Sequence, residues 1–190
     1  MGFKFNKHTH TRAHQEIKPP TEVVVFVFTD VKQSTALWEK SAPAMKEAID
    51  MHNYIMREYL LETKGYEVKT EGDAFMVVFW SVNDAIDWAI TIQKRLLNAA
   101  WPQPLLREPH ASEKRNDKGE LLFRGLTVRM GIHMGFPVCE VDPTTGRMDY
   151  FGPVVNRAAR ICSAADGGEI YISADSWVHK NTCLISREYF

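Results

Sequence analysis

Cysteine is scarce in this 190-residue chain, and the three cysteines lie far apart, at Cys139, Cys162 and Cys183. An odd number of cysteines with no Cys-x-x-Cys pair argues against a disulfide framework. Proteins that keep free, widely spaced cysteines are typical of reducing compartments. We therefore expect a cytoplasmic location, which includes the cytoplasmic part of a larger membrane-associated protein.

Long apolar runs and an excess of one charge are also missing. Runs such as residues 74–80 are far too short to cross a bilayer, and the polar N-terminus lacks the apolar core of a signal peptide. The 23 basic and 24 acidic residues leave a net charge of -1, so no overall field attracts nucleic acid. We expect no nucleic-acid partner, and we expect any regulatory domain or membrane anchor to lie outside this chain.

The length fits one domain with a substantial core. The first 20 residues are polar and end in two prolines, which predicts a flexible lead-in over 1–20 and one domain over 21–190. Three histidines in the lead-in, His8, His10 and His14, suggest a metal site, but histidines in a polar tail are more often solvated.

Hydrophobic periodicity predicts strands and helices in the order β-α-β-β-α-β, followed by further elements. The predicted strands cover 23–29, 66–70, 74–80, 126–133, 137–141, 147–151 and 169–173. The predicted helices run from 42 with Ser41 as N-cap, over 83–98 with Ser81 or Asn83 as cap, over 153–164 and over 174–180. Residues 101–124 are expected to form a long surface insertion. This order is typical of a ferredoxin-like α/β (α+β) fold, a mainly antiparallel sheet with helices on one face.

Two aspartates occupy informative positions in this order. Asp30 ends the first strand, and Asp73 lies in the short turn between the next two strands. The fold would bring them side by side, and paired carboxylates bind hard cations such as Mg²⁺ and Mn²⁺. The alternative is that Asp30 caps the following helix and Asp73 only shapes a turn, since aspartate favours both places.

A third segment, residues 149–160, is predicted to be a loop that runs into a helix. It carries an acidic, an amide and a basic side chain, those of Asp149, Asn156 and Arg160. Asn156 and Arg160 are four residues apart, so they share one face of that helix. Together with Phe28–Thr35 and Lys69–Asp73, this segment resembles the class III nucleotidyl cyclase catalytic domain over about residues 22 to 180. The segments around Lys69 and Asp149 are most similar to adenylyl cyclases of fungi and other lower eukaryotes.

The resemblance implies a lyase that converts ATP to 3′,5′-cyclic AMP and pyrophosphate with two divalent metal ions, Mg²⁺ or Mn²⁺. Asp30 and Asp73 would bind the ions, assisted by the carbonyl of Val31. Backbone amides at a helix N-terminus would hold the phosphates, as such amides do well. The amides implied are those of Lys32, Gln33, Ser34 and Thr35.

The resemblance also implies roles on the nucleoside side. Lys69 and Asp149 would recognise the base, Asn156 would orient the ribose, and Arg160 would stabilise charge on the transferred phosphoryl group. A lysine donor suits N1 of adenine and a carboxylate acceptor suits its amine, whereas guanine reverses both groups. The alternatives are a solvated lysine on a hairpin and an acid at a strand edge.

In this family the site forms between two domains, one with the metal aspartates and the other with the remaining groups. This chain carries both sets, which implies a homodimer with two shared sites and an inactive monomer. Tyr150 and Phe151 either help form that interface or pack in the core. Family domains also continue with further strands and a triphosphate-binding lysine, which we expect beyond Phe190.

The sequence suggests two alternative functions. A catalytically silent cyclase-like domain could dimerise or sense nucleotide, but such domains are marked by a lost metal aspartate, and both are present. A polymerase palm would need a basic channel, which a net charge of -1 speaks against. His133 ends a predicted strand, and we interpret it as structural rather than as a general base.

Overall fold

The computed structural model describes residues 17–187, with the side chains described as far as Lys180. The strands in this part of the chain are β1 (Val24–Val31), β2 (Tyr66–Glu71), β3 (Ala74–Phe79), β4 (Lys114–Arg115), β5 (Leu121–Phe123), β6 (Val128–Gly135), β7 (Val138–Val141), β8 (Met148–Phe151) and β9 (Ile170–Ile172). The helices are α1 (Ser34–Glu58), α2 (Val82–Leu97), α3 (Gln103–Leu106), α4 (Pro153–Ala164) and α5 (Ala174–Arg187).

The central sheet has the strand order β2-β3-β1-β6-β9. The first four of these strands pair antiparallel, in the order of a ferredoxin-like fold, and β9 extends the sheet in parallel with β6. The predicted fold is therefore confirmed. Two antiparallel ribbons, β4–β5 and β7–β8, stand apart from this sheet.

One face of the sheet packs against α1 and α2. Side chains alternate along β1, so Val25, Val27 and Val31 join this core with Trp88 of α2, which is completely buried. Burial of apolar surface contributes about 25 cal/mol per Å², so packing of this layer stabilises the fold. No described helix is apolar over a stretch long enough to cross a membrane.

The opposite face is covered as well, by α4 and the β7–β8 ribbon, so the expectation of helices on one face only is wrong. Val24, Phe26 and Tyr150 are among the residues of this second core. Gly131 of β6 lets α4 approach closely, because a Cβ there would lie 2.1 Å from the backbone nitrogen of Cys162. The sheet is thus buried between two layers.

The first helix begins earlier than predicted. It starts at Ser34, and Ser41 lies at a kink with φ −150° and ψ 63°, just before Pro43. Proline has no N–H and clashes with the preceding turn, which explains the kink. At the start of α2, by contrast, Ser81 is the predicted cap, and its Oγ accepts a hydrogen bond from the Asn83 amide at 3.1 Å.

Residues 17–20 are not a flexible lead-in, which corrects that part of the predicted boundary. The carbonyl of Pro20 accepts a hydrogen bond from the Tyr150 hydroxyl at 2.9 Å, and the carbonyl of Lys18 accepts one from Trp80 Nε1 at 3.0 Å. Ile17 packs against the second core. The predictions for His8, His10 and His14 fall outside the described residues.

The predicted insertion over 101–124 is ordered and partly built into the core. Trp101 and Leu105 are buried, and Trp101 Nε1 donates to the carbonyl of Leu96 at 2.9 Å. The charged stretch forms the short β4–β5 ribbon, whose side chains are mostly exposed. Apolar side chains before the charges, rather than the charges themselves, fix the segment in place.

Candidate active site

Strand pairing brings the two aspartates to one edge of the sheet. Thr29 of β1 pairs with Phe75 of β3, so Asp30 lies next to the turn that carries Asp73. The Thr29 hydroxyl accepts a hydrogen bond from the Phe75 amide at 3.3 Å, which holds the two strand ends together. In the turn, Gly72 has a φ of 65°, a left-handed conformation that glycine adopts without strain.

The Asp73 carboxylate is incompletely satisfied. Its Oδ2 atom is buried and has no hydrogen-bond partner among the described residues. Leaving a buried polar oxygen unpaired is costly, and a divalent cation would satisfy it. The described side chains hold no cluster of three or more metal-ligating groups. A pair of carboxylates still fits Mg²⁺, which commonly takes one or two carboxylates and fills its other positions with water and phosphate oxygens.

Arg129 is a residue of this edge that the sequence analysis missed. It lies directly opposite Asp30 in the β1–β6 pairing, and its Nε donates to Asp30 Oδ2 at 2.8 Å. The same guanidinium also donates to the carbonyl of Ser163 at the end of α4, at 3.2 Å. A charged residue inside an otherwise buried strand was the available signal, because such a residue requires a partner.

The loop before α1 differs in part from the prediction. The Lys32 amide already donates to the Thr127 carbonyl at 2.9 Å, so it is not a free donor for phosphate, which corrects that part of the prediction. The Lys32 ammonium pairs with Asp166 at 3.0 Å, and this hydrogen bond holds the pKa of the Asp166 carboxyl below its usual value.

Three predicted amides follow, at Gln33, Ser34 and Thr35. Gln33 adopts a left-handed conformation with φ 57° and ψ 27°, and α1 begins at the next residue. The N-terminal amides of a helix have no acceptor within the helix, and no side chain caps this end. These amides therefore remain available for an anion.

Lys69 and Asp149 lie 80 positions apart in the sequence and meet in the structure. Lys69 Nζ is 2.9 Å from Asp149 Oδ2, while Asp149 Oδ1 accepts a hydrogen bond from the Tyr150 amide at 2.8 Å. The lysine is 43% exposed and the aspartate 19%, so the pair lies at the surface with its carboxylate half-buried. The Lys69 ammonium, a donor, and the Asp149 carboxylate, an acceptor, thus lie side by side where a ligand can contact both.

Asn156 and Arg160 are both exposed on α4. Neither side chain makes a hydrogen bond or ion pair with another residue in the described part of the chain. They therefore make no hydrogen bond or ion pair with Asp30 or Asp73 within one chain. The structure joins Lys69 to Asp149 and places Asp30 beside the turn of Asp73, but it bonds neither pair to Asn156 or Arg160.

His133 has the structural environment that the sequence analysis expected. It is 3% exposed, and its Nδ1 lies 2.8 Å from the Ser173 hydroxyl. Desolvation by burial lowers its pKa, so the ring is neutral at pH 7. It lies opposite Phe26 in the β1–β6 pairing, four positions along β6 from Arg129, the residue opposite Asp30, which fits a structural role.

The fold and its strand-end carboxylates define the class first: a ferredoxin-like domain with two aspartates at neighbouring strand ends, an arrangement that polymerase palms and nucleotidyl cyclases share. The family model described as "Adenylate and Guanylate cyclase catalytic domain" matches residues 16–187. This chain belongs to that family.

Curated relatives and solved structures agree with this assignment. The chain is 54% identical over 167 residues to an adenylate cyclase of Mycosarcoma maydis, covering 88% of this chain and 7% of that protein. It is 50% identical over 164 residues to an adenylate cyclase of Schizosaccharomyces pombe, covering 86% of this chain and 10% of that protein. The chain therefore spans a small fraction of the length of these relatives.

The fold comparison gives the same family. Adenylate cyclases from Trypanosoma brucei, solved in their monomeric state, include a structure with a TM-score of 0.78 and 30% sequence identity. That match covers 88% of this chain and 79% of the other.

Proposed function

We propose that this chain is an adenylyl cyclase catalytic domain, which converts ATP to 3′,5′-cyclic AMP and pyrophosphate. The observation that carries the proposal is the Lys69–Asp149 pair, with Nζ and Oδ2 2.9 Å apart at the surface. A donor and an acceptor at that spacing match two neighbouring groups of adenine. The names of the fungal relatives reported above support the same substrate.

The pair favours adenine over guanine for a physical reason. The lysine donates to the adenine N1, and the aspartate accepts from the exocyclic amine. Guanine would direct its N1–H at the ammonium and its O6 at the carboxylate. Each mismatched polar group would be left without a hydrogen bond at a partly buried site. Sites that depend on such hydrogen bonds discriminate strongly between substrates.

On the phosphate side, Asp30 and Asp73 would hold two divalent ions with the Val31 carbonyl. Ions held there would supply Lewis-acid chemistry and positive charge for the transfer. The amides of Gln33, Ser34 and Thr35 bind phosphate oxygens at the start of α1. Arg129 donates to Asp30 Oδ2 at 2.8 Å, so its guanidinium would lie near the phosphates of a nucleotide bound at this edge.

The reaction forms a bond between the ribose 3′-oxygen and the α-phosphorus and breaks the bond to the bridging oxygen. The proton of the 3′-hydroxyl leaves to solvent, and pyrophosphate takes the electron pair. Asn156 orients the ribose, so that the attacking oxygen is in line. Arg160 stabilises the charge that develops on the phosphoryl oxygens, for which its permanently charged planar fork is suited.

The complete site requires two copies of the chain. Asn156 and Arg160 have no partner within the described part of one chain, and a second copy would place them on Asp30 and Asp73. The β7–β8 ribbon exposes Val138 and Phe151, which pair across it, and Phe136 just before β7 is exposed as well. Exposed apolar side chains that lie side by side are typical of an interface. Tyr150 does not contribute, since it is buried against Phe26.

A catalytically silent, nucleotide-sensing domain is the second candidate function. Such a domain has no need of a buried, unpaired carboxylate oxygen, and Asp73 retains one. Regulation by segments outside the chain is part of the proposal, because the curated relatives are many times longer.

The test is an assay of the purified chain with ATP or GTP and Mn²⁺ at several protein concentrations. We expect cyclic AMP from ATP, at a rate that rises faster than linearly with protein, and none from Asp30→Ala. Asp84→Ala, in the first turn of α2, is the matched control and should retain activity. Equal use of GTP would contradict the base assignment, and nucleotide binding without product would favour the silent alternative.

A further inference from the structure

A β-bulge in β2 decides where Lys69 points. Glu67 pairs with Val77 of β3, but Lys69 already pairs with Met76, so Val68 is an extra residue on the β2 side. Side chains of a regular strand alternate between faces, and a bulge shifts this alternation. Tyr66 and Val68 pack on the face covered by the β7–β8 ribbon, and after the bulge Lys69 lies on that face too.

On the α1 side of the sheet, an arginine holds the residues that flank the bulge. Arg57 Nε and Nη2 donate to the two carboxylate oxygens of Glu67 at 2.9 and 2.7 Å. Arg57 also donates to the Thr70 hydroxyl at 3.3 Å, and that hydroxyl donates to Glu67 at 2.7 Å. Glu67 is 8% exposed, so this bidentate ion pair is largely shielded from water.

On the opposite side, a second arginine holds the backbone of the same residue. The guanidinium of Arg147 donates to the Glu67 carbonyl oxygen and stacks over the Tyr66 ring at 4.9 Å from its centre. The Tyr66 hydroxyl accepts a hydrogen bond from the Met148 amide at 3.1 Å. These contacts attach the bulge to the strand that carries Asp149.

We propose that Arg57 and Arg147 are specificity-positioning residues, which fix the Glu67–Lys69 bulge and thereby hold Lys69 against Asp149. The proposal deepens the proposed function, since it rests on that pair recognising adenine. Neither arginine touches the base in this arrangement. Each acts through Glu67, one on its carboxylate and the other on its carbonyl.

Loss of the bulge would reverse the direction of the Lys69 side chain. If β2 paired regularly with β3, Lys69 would follow the ordinary alternation and turn toward the α1 face. A lysine side chain also gains rotamer entropy when it leaves its partner, which favours separation of the pair. Arg147 is the better position to test, because it lies outside the core and its loss leaves the buried Arg57–Glu67 pair intact.

The experiment compares Arg147→Gln with Arg147→Lys and with Arg95→Gln. Arg95 is a matched control, since it stacks over the Tyr59 ring at 4.8 Å but makes no hydrogen bond or ion pair with the described residues of β2. For each variant we would measure kcat and KM with ATP and with GTP, and the melting temperature. We would also determine a nucleotide-free crystal structure of Arg147→Gln.

We expect Arg147→Gln to reduce the ratio of kcat/KM for ATP to that for GTP by about 10-fold, mainly through KM for ATP. Arg147→Lys should recover part of the ratio, and Arg95→Gln should leave it unchanged. The crystal structure should show the Lys69–Asp149 pair separated. An unchanged ratio in a wild-type background that prefers ATP would overturn the inference.

The crystal structure separates this inference from the proposed function. If the wild-type chain shows no preference for ATP, the base assignment has failed, but the Lys69 Nζ to Asp149 Oδ2 distance still tests the bulge. A pair that stays at its distance of 2.9 Å in Arg147→Gln contradicts the positioning role whatever the substrate. A pair that separates supports that role.

Discussion

The two halves of the proposed site differ in how complete they are within one chain. On the base side, Lys69 and Asp149 satisfy one another at 2.9 Å. On the metal side, Asp73 keeps a buried carboxylate oxygen without a partner, and Asp30 is held by Arg129. The base side is therefore arranged before the nucleotide arrives, whereas the metal side stores an unfavourable interaction that a cation removes.

The largest effect is expected at Asp73. Asp73→Asn keeps the shape of the side chain but removes its charge, so the metal edge loses a ligand. We expect kcat to fall by at least about 10²- to 10³-fold, the scale of losing one electrostatic stabiliser in an active site. Cyclic AMP formation with Mn²⁺ measures the loss.

Asp73→Asn should not lower the stability of the metal-free protein, although it lowers kcat. The substitution replaces an unpaired charged oxygen with a neutral amide, so the metal-free melting temperature should stay the same or rise. A marked fall in the metal-free melting temperature would mean that the Asp73 carboxylate stabilises the turn, and the contrast between the two halves would be lost. Asp87→Asn, on the surface of α2, serves as the control.

A smaller and more selective effect is expected on the base side. Lys69→Met removes the donor to adenine and leaves Asp149 without its partner, so the preference for ATP over GTP should fall by about 10- to 100-fold. The kcat with saturating ATP should change less than KM, because metal binding is untouched. Steady-state assays with both nucleotides give this split, and a uniform loss of kcat would contradict a base-reading role.

The sequence was sufficient for the strand order and for the neighbouring positions of Asp30 and Asp73. Those features follow from hydrophobic periodicity and from turn residues, which act locally. Arg129 and the β2 bulge could not be found in the same way. A cross-strand partner depends on register, and a bulge depends on contacts from α1 and the β7–β8 ribbon, 10 and 80 positions away.

The segments that were predicted less well have a common cause. Ile17 to Pro20 and Trp101 to Leu105 were interpreted as surface segments because prolines and polar residues surround them. Their structure instead depends on a few apolar or backbone groups that meet distant partners, such as the Pro20 carbonyl and Tyr150. Local composition carries no information about such long-range contacts.

A second comparison is between Asp73 and His52. Each has a buried side-chain atom without a hydrogen-bond partner in the described part of the chain, but His52 lies on the core face of α1. Desolvation by burial lowers the His52 pKa from 6.5 to about 4, so the ring is uncharged at pH 7. A buried polar atom without a hydrogen-bond partner therefore points to a ligand at Asp73, whose carboxylate lies at the edge of the sheet. It does not do so at His52, whose neutral ring lies in the core.

His52 gives an effect on stability rather than on activity, a pH dependence of the free energy of unfolding. Because its pKa is lower in the folded state than in the unfolded state, the neutral ring contributes stability above pH 6.5, and this is lost as pH falls through about 4. The loss is on the order of 3 kcal/mol in the free energy of unfolding. Denaturant unfolding at pH 7 and pH 4.5 should show a weaker pH dependence for His52→Met.

The central claim is that each site joins the aspartates of one copy to Asn156 and Arg160 of another. Its most direct test is to mix two inactive variants, Asp30→Ala and Arg160→Ala, and to measure cyclic AMP formation. In an equal mixture, half of the dimers are mixed and each restores one of two sites, so we expect about a quarter of wild-type activity. Activity no higher than that of the separate variants would contradict the shared site.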